Sequence, residues 1–202
     1  SMKLVAIILA AGKGTRLKSK IPKPLHNIGG RPMLAWSLDA SIAAKASRTI
    51  TVLPPQSKQI QDWLDGRDFC IQEKPLGTGH AVLAAAPQLA DFDGVALIMF
   101  ADTPLVTSDT LTRLVSSIDT SNSIAVLGFE TSNPHGYGRL ITDSSGHLLR
   151  IVEDKDANDN EKRITLVNGG VMAVRCPLLF DLMQQVQPNS NNGEVYLTDI
   201  IA

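Results

Sequence analysis

Two stretches near the start of the chain bring together residue types suited to holding phosphates. Residues 10–16 read Ala10-Ala11-Gly12-Lys13-Gly14-Thr15-Arg16, small side chains followed by cations. Small residues let backbone N–H groups approach a phosphate or a base edge closely, and Lys13 and Arg16 add positive charge. The spacing matches neither G-x-x-x-x-G-K-[ST] nor G-x-G-x-x-G, which excludes a P-loop and a dinucleotide fingerprint. Taken alone, the glycines would serve equally well to turn the chain. A little further on comes Pro22-Lys23-Pro24-Leu25. A lone exposed lysine usually means nothing, but prolines on both sides fix the backbone more tightly than a solvated lysine requires. Lys23 is therefore placed opposite the first loop, closing an anion site. Asp102 closely follows an apolar run at 95–100, where a carboxylate either caps the next turn or holds a hard cation such as Mg²⁺. Near these residues there is no Ser-His-Asp or Cys-His grouping that would supply a nucleophile.

Residues in these positions need strands to carry them. Residues 4–10 form a continuous apolar run, the pattern of a strand buried on both faces. A helical pattern starts at Pro32 and includes Met33, Leu34, Trp36, Leu38 and Ile42. Strand-like segments at 48–53, 69–72, 95–100 and 124–129 then alternate with helical ones around Ile60 to Leu64, at 78–89 and at 107–118. That alternation predicts an α/β chain with a Rossmann-like, mostly parallel sheet covered by helices on both faces. After residue 130 the character turns strand-rich, with strands expected at 138–142, 147–153 and 164–174. The expected organisation is one domain over 2–202, with a nucleotide-binding part at 2–130 and a β-rich part at 131–202.

Composition narrows the partners. The chain has 202 residues, 44% hydrophobic and 19% charged, and Lys+Arg 19 against Asp+Glu 20 leaves a net charge of -1. Without a basic excess, binding along a nucleic-acid backbone is not expected. The apolar run at 4–11 is too short for a membrane span and is not a signal peptide, so a cytoplasmic location is expected. Cys70 and Cys176 lie far apart in apolar surroundings and read as free thiols. Ser1, ahead of Met2, reads as the remnant of a cleaved tag.

The two opening motifs together resemble the signature of the sugar nucleotidyltransferases. Later motifs, in the same order as in that family, sharpen the resemblance: Leu76-Gly77-Thr78-Gly79-His80-Ala81, Asp102-Thr103-Pro104-Leu105, Gly136-Tyr137-Gly138-Arg139, Glu153-Asp154-Lys155-Asp156-Ala157, Asn168-Gly169-Gly170 and Glu194-Val195-Tyr196-Leu197-Thr198-Asp199. Over nearly its whole length the chain is similar to the uridylyltransferase domain of the bacterial bifunctional N-acetylglucosamine-1-phosphate uridylyltransferases.

The resemblance implies the nucleotide-diphospho-sugar transferase fold, and UMP transfer from UTP to N-acetylglucosamine-1-phosphate with Mg²⁺. It implies nucleotide contacts from Ala10, Ala11, Gly12 and Gly14, with Gln72, Gly77 and Thr78 at the uracil. It implies that Arg16 and Lys23 hold the triphosphate as catalytic cations and that Asp102 is a metal ligand. Gly138, Glu153, Asn168, Tyr196 and Thr198 would surround the sugar; by themselves they read as a turn glycine, a strand-edge charge and a turn asparagine beside two neighbours. His80 reads as structural. Two other readings stay open: a nucleotidyltransferase of the same fold with another base or acceptor, such as a molybdenum-cofactor cytidylyltransferase, and a nucleotide-sugar binding module without turnover.

Three departures from the family pattern are visible. Pro75 stands where a second glutamine is usual, and Ala101 replaces a glycine before Asp102. The sequence stops at Ala202, so the continuation that carries a second metal contact, and the acetyltransferase half that builds the family's trimer, are both expected to lie outside it.

Overall fold

The computed structural model describes residues 2–12, 20–102 and 106–201. In chain order its elements are β1 (Lys3–Leu9), β2 (Asn27–Ile28), β3 (Arg31–Pro32), α1 (Met33–Ala43), β4 (Arg48–Leu53), α2 (Lys58–Leu64), β5 (Phe69–Ile71), α3 (Thr78–Ala84), β6 (Gly94–Phe100), α4 (Ser108–Ser116), β7 (Ile124–Glu130), β8 (Arg139–Thr142), β9 (Leu148–Val152), α5 (Asp159–Lys162), β10 (Leu166–Cys176) and α6 (Leu178–Gln185). Short 3-10 turns follow at Lys23–Leu25, Ala86–Leu89, Asp154–Asp156 and Leu197–Ile200.

Eight strands form one sheet. The order β5-β4-β1-β6 is parallel throughout, and β10 then joins β6 antiparallel. β7 and β8 both pair with β10, and β9 pairs with β8. Strands from both expected parts of the chain therefore share one hydrogen-bonded surface, with β10 as the splice. β2 and β3 make a separate small ribbon.

Side chains alternate across a strand, and that period sorts the core into two layers. Val5, Ile7 and Leu9 of β1 pack with Ala81 and Val82 of α3 and Leu179 and Met183 of α6. Leu4, Ala6 and Ile8 face the other way, onto Leu34 and Leu38 of α1, Ile60 and Leu64 of α2, and Leu111 of α4. Val5 through Ile8 are fully buried, so β1 has no polar face, as the unbroken apolar run requires.

The expected helix over 78–89 is shorter. α3 ends at Ala84 and the chain tightens into the 3-10 turn Ala86–Leu89, whose Pro87 removes a backbone donor from a continuing helix. α6 was not expected. It has eight residues and no side-chain cap, and buries Leu179, Phe180 and Met183 on the sheet. Cys70 is half-buried, Cys176 is buried, and both are free; burial raises each thiol to about 11. At that level neither is a ready thiolate near neutral pH. Among the described residues, no helix is long and apolar enough to cross a membrane.

Candidate active site

The loops after β1, β5 and β6 leave the same edge of the sheet. Ala10 N–H donates to the Val52 carbonyl at 2.9 Å, Ala101 N–H to Leu9 at 3.0 Å, and Gln72 N–H to Leu53 at 2.8 Å. These bonds tie the three loop starts to the carboxyl ends of parallel strands, where open α/β sheets place ligands. A cleft of about 270 Å³ opens there, lined by Ala10, Ala11, Gly12, Lys23, Gln72, Gly77, Thr78, Asp102 and Tyr196 among others. Arg16 and Gly14 lie outside the described residues. Every other residue expected at the nucleotide or metal lines this one cleft.

Lys23 Nζ lies 3.5 Å from Asp102 Oδ2, joining two motifs 79 residues apart. Both side chains are substantially exposed, at 36% and 51%, so the pair adds little stability; its interest is its place on the cleft wall. Ala101 is buried, and is not among the non-glycine residues with positive φ (Lys45, Gln56 and Asp65). Replacing glycine by alanine there is conformationally neutral. Pro75 lines the cleft without offering a side-chain hydrogen bond.

Gly77 does require its lack of a side chain. Its φ is +104°, and a Cβ would stand 2.5 Å from the Val195 carbonyl oxygen. The close approach exists because residues 195–197 run along the start of α3. Val195 N–H donates to Leu76, Gly79 N–H to Val195, and Leu197 N–H to the Thr78 hydroxyl, at 2.8, 2.8 and 2.9 Å. The last segment of the chain thus walls the cleft.

A second cleft, about 440 Å³, adjoins the first and shares Thr78, Phe100 and Tyr196 with it. Glu153, Asn168 and Thr198 line it. The Thr198 hydroxyl donates to Glu153 Oε1 at 3.1 Å. Gly138 stands behind them: its carbonyl accepts from Asn168 N–H at 2.9 Å, and a Cβ on it would come within 3.5 Å of Glu153 Oε2. All five residues expected around the sugar therefore meet. Burial pushes the Glu153 carboxyl above the ordinary range, nearby Asp199 and Asp156 push it the same way, and the Thr198 hydrogen bond opposes them.

Supporting contacts went unpredicted. Arg139, buried at the start of β8, donates to Asp154 Oδ1 at 2.7 Å, and to the Tyr137 and Lys162 carbonyls. Its guanidinium holds the Asp154 carboxyl below the usual range and fixes the turn beside Glu153. Tyr196 accepts hydrogen bonds from Lys155 at 2.5 Å and Asn192 at 2.7 Å. His80 Nδ1 lies 2.9 Å from the Gln72 amide nitrogen, so a residue expected to be structural touches a site residue. Arg139 and Lys155 sat inside motifs already singled out, but nothing in spacing alone says which side chains meet.

Residues 6–164 match the model of the MobA-like NTP transferase domain family. The chain belongs to that family. It is 48% identical over 198 residues to the bifunctional protein GlmU of Maricaulis maris, covering 97% of the chain and 44% of the relative. It is 40% identical over 199 residues to the GlmU of Streptococcus suis, covering 98% and 43%. The chain thus spans less than half the length of these relatives. Its fold superposes with a TM-score of 0.81 on UDP-glucose pyrophosphorylase complexed with UDP-glucose, at 19% identity and covering 98% and 85% of the two chains.

Proposed function

We propose that this protein moves UMP from UTP to N-acetylglucosamine-1-phosphate, giving UDP-N-acetylglucosamine and pyrophosphate, in the cytoplasm. The observation that carries the reading is the pair of adjoining clefts: one lined by small residues, a lysine and a carboxylate, the other by a carboxylate, an amide and hydroxyls, with Tyr196 common to both. The identity to two bifunctional GlmU proteins supports the choice of sugar and base.

In this reading residues 2–202 act as one domain, and the sugar phosphate is the nucleophile. One of its oxygens forms a bond to the α-phosphorus of UTP as the bond to pyrophosphate breaks, and pyrophosphate leaves with the electron pair. The acceptor oxygen is already ionised at neutral pH, so the chain has no nucleophile of its own to provide. Its work is positioning and charge neutralisation. Lys23 steadies the phosphates from one wall, with Arg16 assigned the same task. Ala10, Ala11, Gly12 and Gly14 let the backbone close on the nucleotide, and Gln72, Gly77 and Thr78 meet the base. Glu153 and Asn168 hold sugar hydroxyls, with Gly138, Tyr196 and Thr198 shaping the pocket.

The donor set fits a divalent cation held mainly by substrate. Asp102 is a hard-oxygen ligand on the cleft wall, half-exposed and facing a lysine, and no group of three or more His, Cys, Asp or Glu surrounds it among the described residues. Mg²⁺ commonly takes one or two carboxylates and completes its shell with phosphates and water. Bound there, such an ion would supply charge stabilisation for the departing pyrophosphate.

Pyrophosphate release with Mg²⁺ tests this, run with UTP, CTP, GTP and dTTP against several sugar-1-phosphates. The expected preference is UTP with N-acetylglucosamine-1-phosphate. A preference for CTP would point to the cytidylyltransferase reading, and UDP-sugar binding without release from any pair would leave a binding module.

A further inference from the structure

We infer that His80 fixes the orientation of the Gln72 side-chain amide, and through it sets the hydrogen-bonding pattern a base must present. The inference rests on Gln72 meeting the base, as proposed above. His80 is a positioning residue in this scheme, acting only through Gln72.

Gln72 is one of few buried polar residues among those described, 4% exposed, yet it lines the first cleft. Its amide nitrogen lies 3.1 Å from the Gly77 carbonyl oxygen and 2.9 Å from His80 Nδ1. A carbonyl oxygen only accepts, so the group facing Gly77 must be the N–H end of the amide. With nitrogen placed there, His80 Nδ1 must be the acceptor, and the imidazole carries its proton on Nε2. Both amide hydrogens are engaged by the protein. Oε1 has no hydrogen-bond partner among the described residues, and it is the atom left for a ligand.

An acceptor at that point selects a base edge carrying an N–H. Uracil offers one at N3; cytosine has a lone pair at N3. An inverted amide would present its nitrogen and suit cytosine N3 instead. Pro75, on the same cleft, contributes no side-chain polar group to correct an inverted amide. With the Gly77 carbonyl alone, one hydrogen bond holds the orientation; with His80, two do. His80 is itself well anchored, in the first turn of α3, where Gly79 N–H is bonded to the Val195 carbonyl.

Three variants test this. His80→Asn keeps an acceptor close to the Nδ1 position, His80→Gln moves it out towards Nε2, and His80→Phe keeps a ring without one. The measurements are kcat and KM for UTP and for CTP with N-acetylglucosamine-1-phosphate and Mg²⁺, together with the KM of the sugar phosphate. In His80→Phe and His80→Gln the UTP-over-CTP ratio of kcat/KM should fall about tenfold, the size of effect expected of one hydrogen bond. The change should lie in KM for UTP, with KM for the sugar phosphate unmoved, and His80→Asn should retain most of the ratio. A ratio unchanged in His80→Gln, or one lost equally in His80→Asn and His80→Gln, overturns the inference. The Asn–Gln comparison decides it even if the Phe variant does not fold. Should the unsubstituted chain prefer UTP while its ratio ignores position 80, only this inference falls; should it neither turn over nor bind UTP, the proposed function falls and this one with it.

Discussion

Glu153 follows β9 with its carboxyl partly buried, and burial raises its pKa above the ordinary carboxylate range. A raised value in the folded state means that folding favours the protonated form. The associated stability is fully present below the usual glutamate range and is lost as pH rises through the raised value. At neutral pH the ionised Glu153 is therefore a cost the fold carries. Glu153→Gln should melt higher than the unsubstituted chain at pH 7, with the gap closing as pH falls into the carboxylate range; a pH series of melting temperatures checks it. The same variant should raise KM for the sugar phosphate, since an amide accepts more weakly than a carboxylate from a sugar hydroxyl. Asp102 makes the opposite case. Half-exposed and facing Lys23, it contributes little to the fold. Asp102→Asn should keep its melting temperature and lose Mg²⁺-dependent turnover, measured as pyrophosphate release; unchanged turnover would remove Asp102 from the metal site.

Among the elements, the contact between α3 and the segment at 195–197 leaves little room for change. At Gly77 a methyl group would meet backbone rather than a flexible side chain, at a φ that L-residues avoid. Gly77→Ala should lose about 2 kcal/mol or more in chemical denaturation and loosen Tyr196 at the junction of the clefts. How far sequence reaches is clearest at this scale. The buried strands were legible because a continuous apolar run such as 4–10, too short to span a membrane, calls for burial on both faces. α6 was not: eight residues without a cap have too few apolar positions to fix a period, and its face acquires meaning only against the sheet. The motifs marked the described site residues that converge on the two clefts. The pairs that brace them, Arg139 with Asp154 and Lys155 with Tyr196, stayed hidden, because they join segments whose approach is set by the sheet order.

At the scale of the whole molecule, β6 is the shared foundation. It lies between β1 and β10, with Leu97 fully buried in one core layer and Ile98 almost fully buried in the other. Leu97→Ala should cost about 3 kcal/mol through lost burial and the cavity left behind, read from denaturant midpoints. Its KM values should be unchanged where it remains folded, because the side chain touches neither cleft.

The position of β10 also has a consequence for how the molecule is made. β6 is complete at Phe100, but the strand that covers its second side spans Leu166–Cys176. At ordinary rates of translation the ribosome needs on the order of several seconds to supply it. For that interval a strand made almost wholly of apolar residues presents open N–H and C=O groups, in a nascent chain whose nucleotide cleft also lacks the wall at 194–197. A stall in synthesis between residues 100 and 166 would leave that edge open to pairing with another chain.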